Sequence, residues 1–327
     1  MKSLLRAEGV TVRFEAPGGA FDARRTLTAL DEVSLSLTEG RTLGLVGESG
    51  SGKSTLGRAL LGLQRPSAGR VLYRDEALAS KSPEALRRLR RELQLVFQDP
   101  YASLHPRRTV GAQVVEPLEV HRPELSRAER EAKVAQLLER VGLGPAHAAR
   151  LPRELSGGQR QRVVIARALI AEPKVVVADE PVSALDVSIQ AQLLNLLLEL
   201  TSGGGLTLLL ISHDLKVVRR LCAEVAVLYL GRVVEQAPTP DLFAAPRHPY
   251  THALLSAVPR VGVPVKERVV LQGELPTPLD VPTGCAFHPR CPRYAALGEP
   301  DRQRCRTQRP ALEGAPRAVA CHFPLGE

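Results

Sequence analysis

The segment GESGSGKS, residues 47 to 54, follows the apolar run TLGLV (42 to 46) and precedes a helical pattern from Thr55 onward. No other feature constrains the fold as much. A glycine-rich turn ending in Lys-Ser, set between a buried strand and a helix, fits the G-x-x-x-x-G-K-[ST] pattern of loops that wrap a phosphate chain. The glycines let backbone N–H groups turn toward α- and β-phosphates, Lys53 reaches the β- and γ-phosphates, and Ser54 can ligate Mg²⁺. Gly47, Glu48, Ser49, Gly50, Ser51, Gly52, Lys53, Ser54 and Thr55 are therefore the candidate ATP-binding residues.

Over roughly the first 230 residues, short apolar runs alternate with helical patterns, as in LQLVF (93 to 97), KVVVA (174 to 178) and LTLLLIS (206 to 212). This alternation predicts an α/β layer with buried strands. SRAERE (126 to 131) offers a capping box, Ser126 with Glu129, and Val134, Leu137, Leu138 and Val141 recur at helical spacing, with Gly142 or Gly144 closing the helix. After about residue 236 the texture turns proline-rich, which predicts a domain over 1–236 and a small, loop-rich, cysteine-containing region over 237–327.

The longest apolar stretches, LLNLLLEL (193 to 200) and LTLLLI (206 to 211), fall far short of the roughly 18 to 20 residues that span a bilayer. MKSLLRAEGV lacks the apolar region and cleavage pattern of a secretory signal, so a cytoplasmic location is expected. Lys and Arg exceed Asp and Glu by 44 − 35 = 9, favouring anionic partners, while an aromatic content of 3% argues against stacking on single-stranded nucleic acid. Five cysteines in a reducing compartment argue against disulfides and leave buried thiols, reactive thiols or metal ligands.

KVVVADEP (174 to 181) delivers Asp179 and Glu180 at the end of an apolar strand. Neighbours on a strand point opposite ways, so the two divide the work: Asp179 holds Mg²⁺ through its water shell and Glu180 orients and polarises an attacking water. In LSGGQRQRVVIARALI (155 to 170), a serine and two glycines open a second helix whose free N–H groups suit an anion, yet one nucleotide has little use for two such helix starts.

With LSGGQ in view, the chain resembles an ABC-type ATPase, which implies a RecA-like core and a helical subdomain at about 100–170. The resemblance implies that Ser156, Gly157, Gly158 and Gln159, with Asp186 of SALD (183 to 186), complete the ATP site of the opposite subunit. It makes Gln98 the residue that senses Mg²⁺ and the γ-phosphate, alongside Ser54 and Asp179 at the metal, and His213 the switch histidine acting with Glu180. Phe14 of VTVRF is the candidate for stacking on adenine, an ordinary core phenylalanine being the alternative; residues 15 to 28 look like an insertion that shifts the spacing, with Phe21 nearby.

Longer phrases, among them VFQDPYASLHPR, ALDVSIQAQLLNLL, AAPRHPYTHALLSAVP and GCAFHPRCP, narrow the resemblance to the ATP-binding subunit of dipeptide and oligopeptide importers, over nearly the whole chain. Nickel importers share much of this wording, and His105 of SLHP stands where the family more often has asparagine. The implied partners are a second ABC ATPase in a heterodimer, two transmembrane permease subunits and an extracytoplasmic solute-binding protein, with no nucleic acid, at the cytoplasmic face of the cell membrane. ATP binding closes the dimer and hydrolysis reopens it, driving alternating access. Rival readings are an ABC ATPase acting on nucleic acid or ribosomes, set against a single cassette with no sustained heptads, and a small-molecule kinase, in which LSGGQ has no role.

Cys285, Cys291, Cys305 and Cys321 stand at C-x5-C-x13-C-x15-C, a set suited to tetrahedral zinc or an iron–sulfur cluster, with His288 and His322 as substitute ligands. The tight knuckle of structural zinc sites is missing, and the family resemblance implies a [4Fe-4S] cluster that staples the tail. Cys222 reads as a small buried hydrophobe, and HPYTHALLSAVP (248 to 259) carries no legible chemistry.

Overall fold

A computed structural model describes residues 3–16, 25–182, 186–203, 205–257, 269, 271, 273–274 and 276–326. Ser183, Ala184, Leu185 and Phe21 lie outside the described residues.

Five apolar runs form parallel strands: β3 (Thr42–Val46), β6 (Leu93–Val96), β7 (Val175–Asp179), β8 (Thr207–Ile211) and β9 (Glu224–Tyr229), side by side in the order β9-β3-β8-β7-β6. Strands buried in such a layer read as continuous hydrophobic runs, which is why β3, β6, β7 and β8 were visible in the sequence, whereas β9 was not singled out. Alternation then sorts their side chains into two cores. On β8, Leu209 and Ile211 enter one core and Leu208 and Leu210 the other; on β7, Val175 and Val177 separate from Val176 and Ala178 in the same way.

The first core lies between this sheet and a second, antiparallel one of β1 (Ser3–Ala16), β2 (Arg25–Thr38), β4 (Ala68–Tyr73) and β5 (Glu76–Ala77), ordered β2-β1-β4-β5, and it takes in Leu56 and Leu60 of helix α1 (Lys53–Leu60). The segment expected as an insertion contains the facing ends of the β1–β2 hairpin, where Glu15 pairs with Thr26 and Phe14 with Leu27.

The second core is larger and holds the helices between β6 and β7: α3 (Pro100–Ser103), α4 (Val110–His121), α5 (Arg127–Arg140) and α6 (Gly157–Leu169), with α2 (Pro83–Leu89) preceding them. The α5 capping box is present, Glu129 N donating to Ser126 Oγ and Ser126 N to Glu129 Oε2, and Gly142 at φ +73° follows its end. His105 keeps the loop before α4 turned: Arg107 N donates to its Nδ1 at 3.2 Å, as to an asparagine side chain in an Asx turn. Helices α7 (Val187–Gly203) and α8 (Leu215–Leu221) cover the same face. α8 lies so close to β3 that a Cβ on Gly44 would meet Val218 Cγ1 at 2.6 Å, with Cys222 Sγ beside it at 3.2 Å. Cys222 is buried, and burial pushes its thiol pKa up, as suits an inert small hydrophobe.

Beyond β9 the chain turns back into β10 (Arg232–Pro238), which crosses residue 236, and continues through α9 (Thr239–Ala244) and α10 (Pro249–Ser256). After α11 (Pro292–Ala295) and α12 (Glu299–Thr307), the two-residue strand β11 (Ala318–Val319) pairs with the outer edge of β10. Among the described residues no helix is long and apolar enough to cross a membrane.

Candidate nucleotide site

β3, β8, β7 and β6 are consecutive neighbours, and their carboxyl ends deliver the 47–54 loop, His213, the Asp179-Glu180 pair and Gln98 to one cleft of about 490 Å³. Ligands of parallel α/β sheets bind at this edge.

The loop's glycines serve different purposes. A Cβ on Gly47 would meet the carbonyl oxygen of Leu228 at 2.2 Å, and one on Gly52 (φ +104°) that of Ala29 at 2.4 Å. Gly47 thus seats the loop on β9 of its own sheet and Gly52 seats it on β2 of the antiparallel sheet, neither of them on a ligand. Gly50 (φ +77°) faces open space, so its demand is for left-handed backbone alone. Gly231, in the β9–β10 turn, buttresses the loop by donating its N–H to Ser51 O at 2.9 Å.

Lys53 is buried, and its Nζ donates to Gly47 O and Glu48 O, both at 2.8 Å. Burial lowers its pKa, opposed by the charges of Glu180, Asp179 and Glu48. Asp179, also buried, has its pKa raised by desolvation, with a hydrogen bond from Ser54 acting the other way. A serine hydroxyl against one carboxylate fits Mg²⁺, which keeps water and substrate phosphate as its remaining ligands.

Glu180 follows the last residue of β7 with φ +48°, an uncommon backbone for a residue with a Cβ and a frequent mark of functional strain. Its N–H donates to Ile211 O at 2.9 Å. Strict strand alternation would send Asp179 and Glu180 apart, and the left-handed step instead brings both to the cleft. Gln98 Nε2 donates to Glu180 Oε2 at 3.1 Å, and His213 Nδ1 lies 2.9 Å from Glu180 Oε1. Phe14 is 40% exposed on the cleft wall, which overturns the core alternative.

Ser49, Ser54 and Thr55 also line the cleft, whereas Ser51 is buried beneath it. Glu48 turns away toward the C-terminal region, where Tyr250 and Arg290 hold it. Those two contacts were not foreseen; the only trace in the sequence was the unexplained HPY triplet.

Ser156, Gly157, Gly158, Gln159 and Asp186 do not line this cleft. Ser156 Oγ accepts from Gln159 N, and Gln159 Oε1 accepts from Ser156 N, so both side chains cap α6. A Cβ on Gly157 would meet only open space, leaving room for something to approach that helix start. Asp186 caps α7, its Oδ1 accepting from Ile189 N at 3.0 Å, and that hydrogen bond is the largest cause of its lowered pKa.

The expectation of a metal in the tail fails. Cys285, Cys291, Cys305 and Cys321 do converge with His288 and His322 on a cavity of about 20 Å³, yet among the described residues no group of three or more His, Cys, Asp or Glu could hold a metal ion. This overturns the iron–sulfur and zinc assignments alike. Burial pushes every one of these thiols toward the neutral form, Cys285 up to about 12 and Cys321 to about 11. The thiols instead pack among Phe287, Tyr294 and Phe323 as small hydrophobes.

Residues 30–183 match a family model described as ABC transporter, and residues 234–296 one described as oligopeptide/dipeptide transporter, C-terminal region. The di/tripeptide transport ATP-binding protein DppF of Pseudomonas aeruginosa is 48% identical over 98% of this chain and 98% of its own length. The oligopeptide transport ATP-binding protein AppF of Bacillus subtilis shows the same identity and coverage. Among solved structures, a dimeric ATP-binding cassette in a post-hydrolysis state with ADP and Pi is similar at TM-score 0.67 and 30% identity, over 72% of this chain and 99% of that one. Together with a phosphate loop, a carboxylate pair and a glutamine and histidine at four adjacent strand ends, these likenesses place the chain in the ABC transporter family, as an ATP-hydrolysing, ATP-binding subunit.

Proposed function

We propose that this chain is the motor subunit of a membrane importer, hydrolysing ATP to energise uptake of di- and oligopeptides. The observation that carries the chemistry is the Gln98–Glu180–His213 hydrogen-bonded row across the cleft from Lys53. Glu180 orients the attacking water and draws on its proton, while Gln98 and His213 fix the carboxylate. Lys53 and the loop N–H groups bind the phosphates, and Phe14 stacks on the adenine. Ser54, Asp179 and Gln98 would hold Mg²⁺, which would supply charge neutralisation on the phosphate oxygens.

Ser156, Gly157, Gly158, Gln159 and Asp186 act on the nucleotide of a second ABC ATPase, a role supported by their placement outside this chain's own cleft. The pair docks on two permease subunits at the cytoplasmic face of the membrane, and a solute-binding protein delivers the cargo. Residues 1–236 are assigned to the nucleotide domain and 237–327 to the accessory region of this motor, with β10 running across that boundary. Peptide as cargo is supported by the names of full-length relatives and by the matching C-terminal region.

Glu180→Gln is expected to bind Mg-ATP and to hydrolyse it about a hundredfold more slowly or worse. Single-turnover assays on the complex with its membrane subunits check this, and undiminished turnover would remove Glu180 from the chemistry. In the same complex, dipeptide presented by the solute-binding protein is expected to stimulate hydrolysis. Stimulation by nickel instead, or purification with ribosomes or DNA, overturns the peptide reading.

A further inference from the structure

Glu48 is an odd residue for a loop that wraps a phosphate chain, because its carboxylate carries the same charge as the ligand. Its surroundings resolve the oddity. Arg290 Nη1 donates to Glu48 Oε2 at 2.7 Å and Nη2 to Oε1 at 3.1 Å, a two-pronged pair with the guanidinium side chain only 9% exposed. The backbone N–H of Glu48 donates to Tyr250 Oη at 2.8 Å, and its carbonyl accepts from Lys53 Nζ at 2.8 Å. One residue is thus held at its amide and side chain by the C-terminal region and at its carbonyl by the lysine of the loop.

The two C-terminal partners are themselves fixed. Tyr250 is fully buried, its ring 4.7 Å from that of Tyr229 and 5.4 Å from that of Phe287. Its position follows from the HPY triplet: His248 caps α10 by accepting from Tyr250 N at 3.0 Å, Pro249 opens the helix, and Glu235 accepts from His248 N at 2.9 Å. The Glu48 charge is felt at Lys53, where it acts against burial on the ammonium.

The geometry points to Arg290 and Tyr250 as positioning residues for nucleotide binding: Arg290 neutralises Glu48 behind the loop, where that charge reaches Lys53, and Tyr250 fixes the peptide whose carbonyl holds Lys53. The accessory region thereby sets the affinity of the phosphate loop. This goes beyond the ATPase reading but rests on it.

Titration of the full-length chain with Mg-ADP tests the pair. The wild-type protein is the control, because failure of that protein to bind would strike the nucleotide site itself and not the role of Arg290. Arg290→Gln is expected to weaken Mg-ADP about tenfold, and Arg290→Lys by less. Adding Glu48→Gln to Arg290→Gln is expected to recover most of the loss, since the unpaired carboxylate is then gone. The penalty of Arg290→Gln should also shrink as salt rises, which loss of a mere structural tie would not do. Tyr250→Phe, which keeps the ring and removes only the acceptor, is expected to weaken binding while leaving the melting temperature near that of the wild type. It carries the test should Arg290→Gln not fold. Binding within twofold of wild type in both Arg290→Gln and Tyr250→Phe, or no recovery in the double variant, would overturn the assignment.

Discussion

His248 is buried with its Nδ1 committed to Tyr250 N, and burial pushes its pKa down from 6.5 to about 3. In the unfolded chain the ring takes a proton near pH 6.5, whereas the folded protein refuses it until about pH 3. Between those values the unfolded state binds more protons, so stability rises with pH across the window and this contribution is complete above it. Denaturant midpoints are expected to fall from pH 7 to pH 5, and His248→Asn, which can keep the cap without titrating, should flatten part of that slope. An unchanged slope would place the acid sensitivity elsewhere. At this scale, residue types were readable and backbone states were not. ADEP announced two carboxylates, but nothing in those letters reveals the φ of +48° that aims Glu180 into the cleft beside Asp179. The cysteines erred the other way: the residue types suited a metal, and the packing around them does not.

Local signals decided how well each element could be read. α5 was legible because Ser126 and Glu129 spell a capping box ahead of a 3.6-residue apolar rhythm. Ser126→Ala is expected to cost about 1 kcal/mol, measured by chemical denaturation, without changing nucleotide binding, because neither Ser126 nor its capping partner Glu129 lines the cleft. Parallel strands buried on both faces were equally plain. The two 14-residue strands β1 and β2 were not, because their pairing register shifts between Ala7 and Val10 and again between Val10 and Val12, with Gly9 at φ +56° inside the first shift. Each such bulge resets the two-residue alternation by which a strand is read.

For the molecule as a whole, the parallel layer and its strand-end cleft followed from the sequence, since strand–loop–helix order dictates where such a sheet binds ligand. Contacts across more than 200 residues did not. Tyr250 meets Glu48 from 202 positions away and Arg290 from 242, and no periodicity encodes that meeting. The tail also reaches the antiparallel sheet, where Arg309 pairs with Glu32 of β2 at 2.7 Å.

The small strand β11 has a consequence larger than its two residues. It sits on the outer edge of β10, with Glu235 opposite Val319 and Gln236 opposite Ala318, and Ala320 N donates to Val234 O at 2.8 Å. It therefore acts as a stopper on this sheet, whose β10 rim would otherwise lie bare to any passing chain. A protein ending at residue 310 is expected to self-associate in a concentration-dependent way by light scattering, while the full-length chain under the same conditions does not add strands at that rim. A truncated protein that stays as dispersed as the full chain would show that the rim needs no cover.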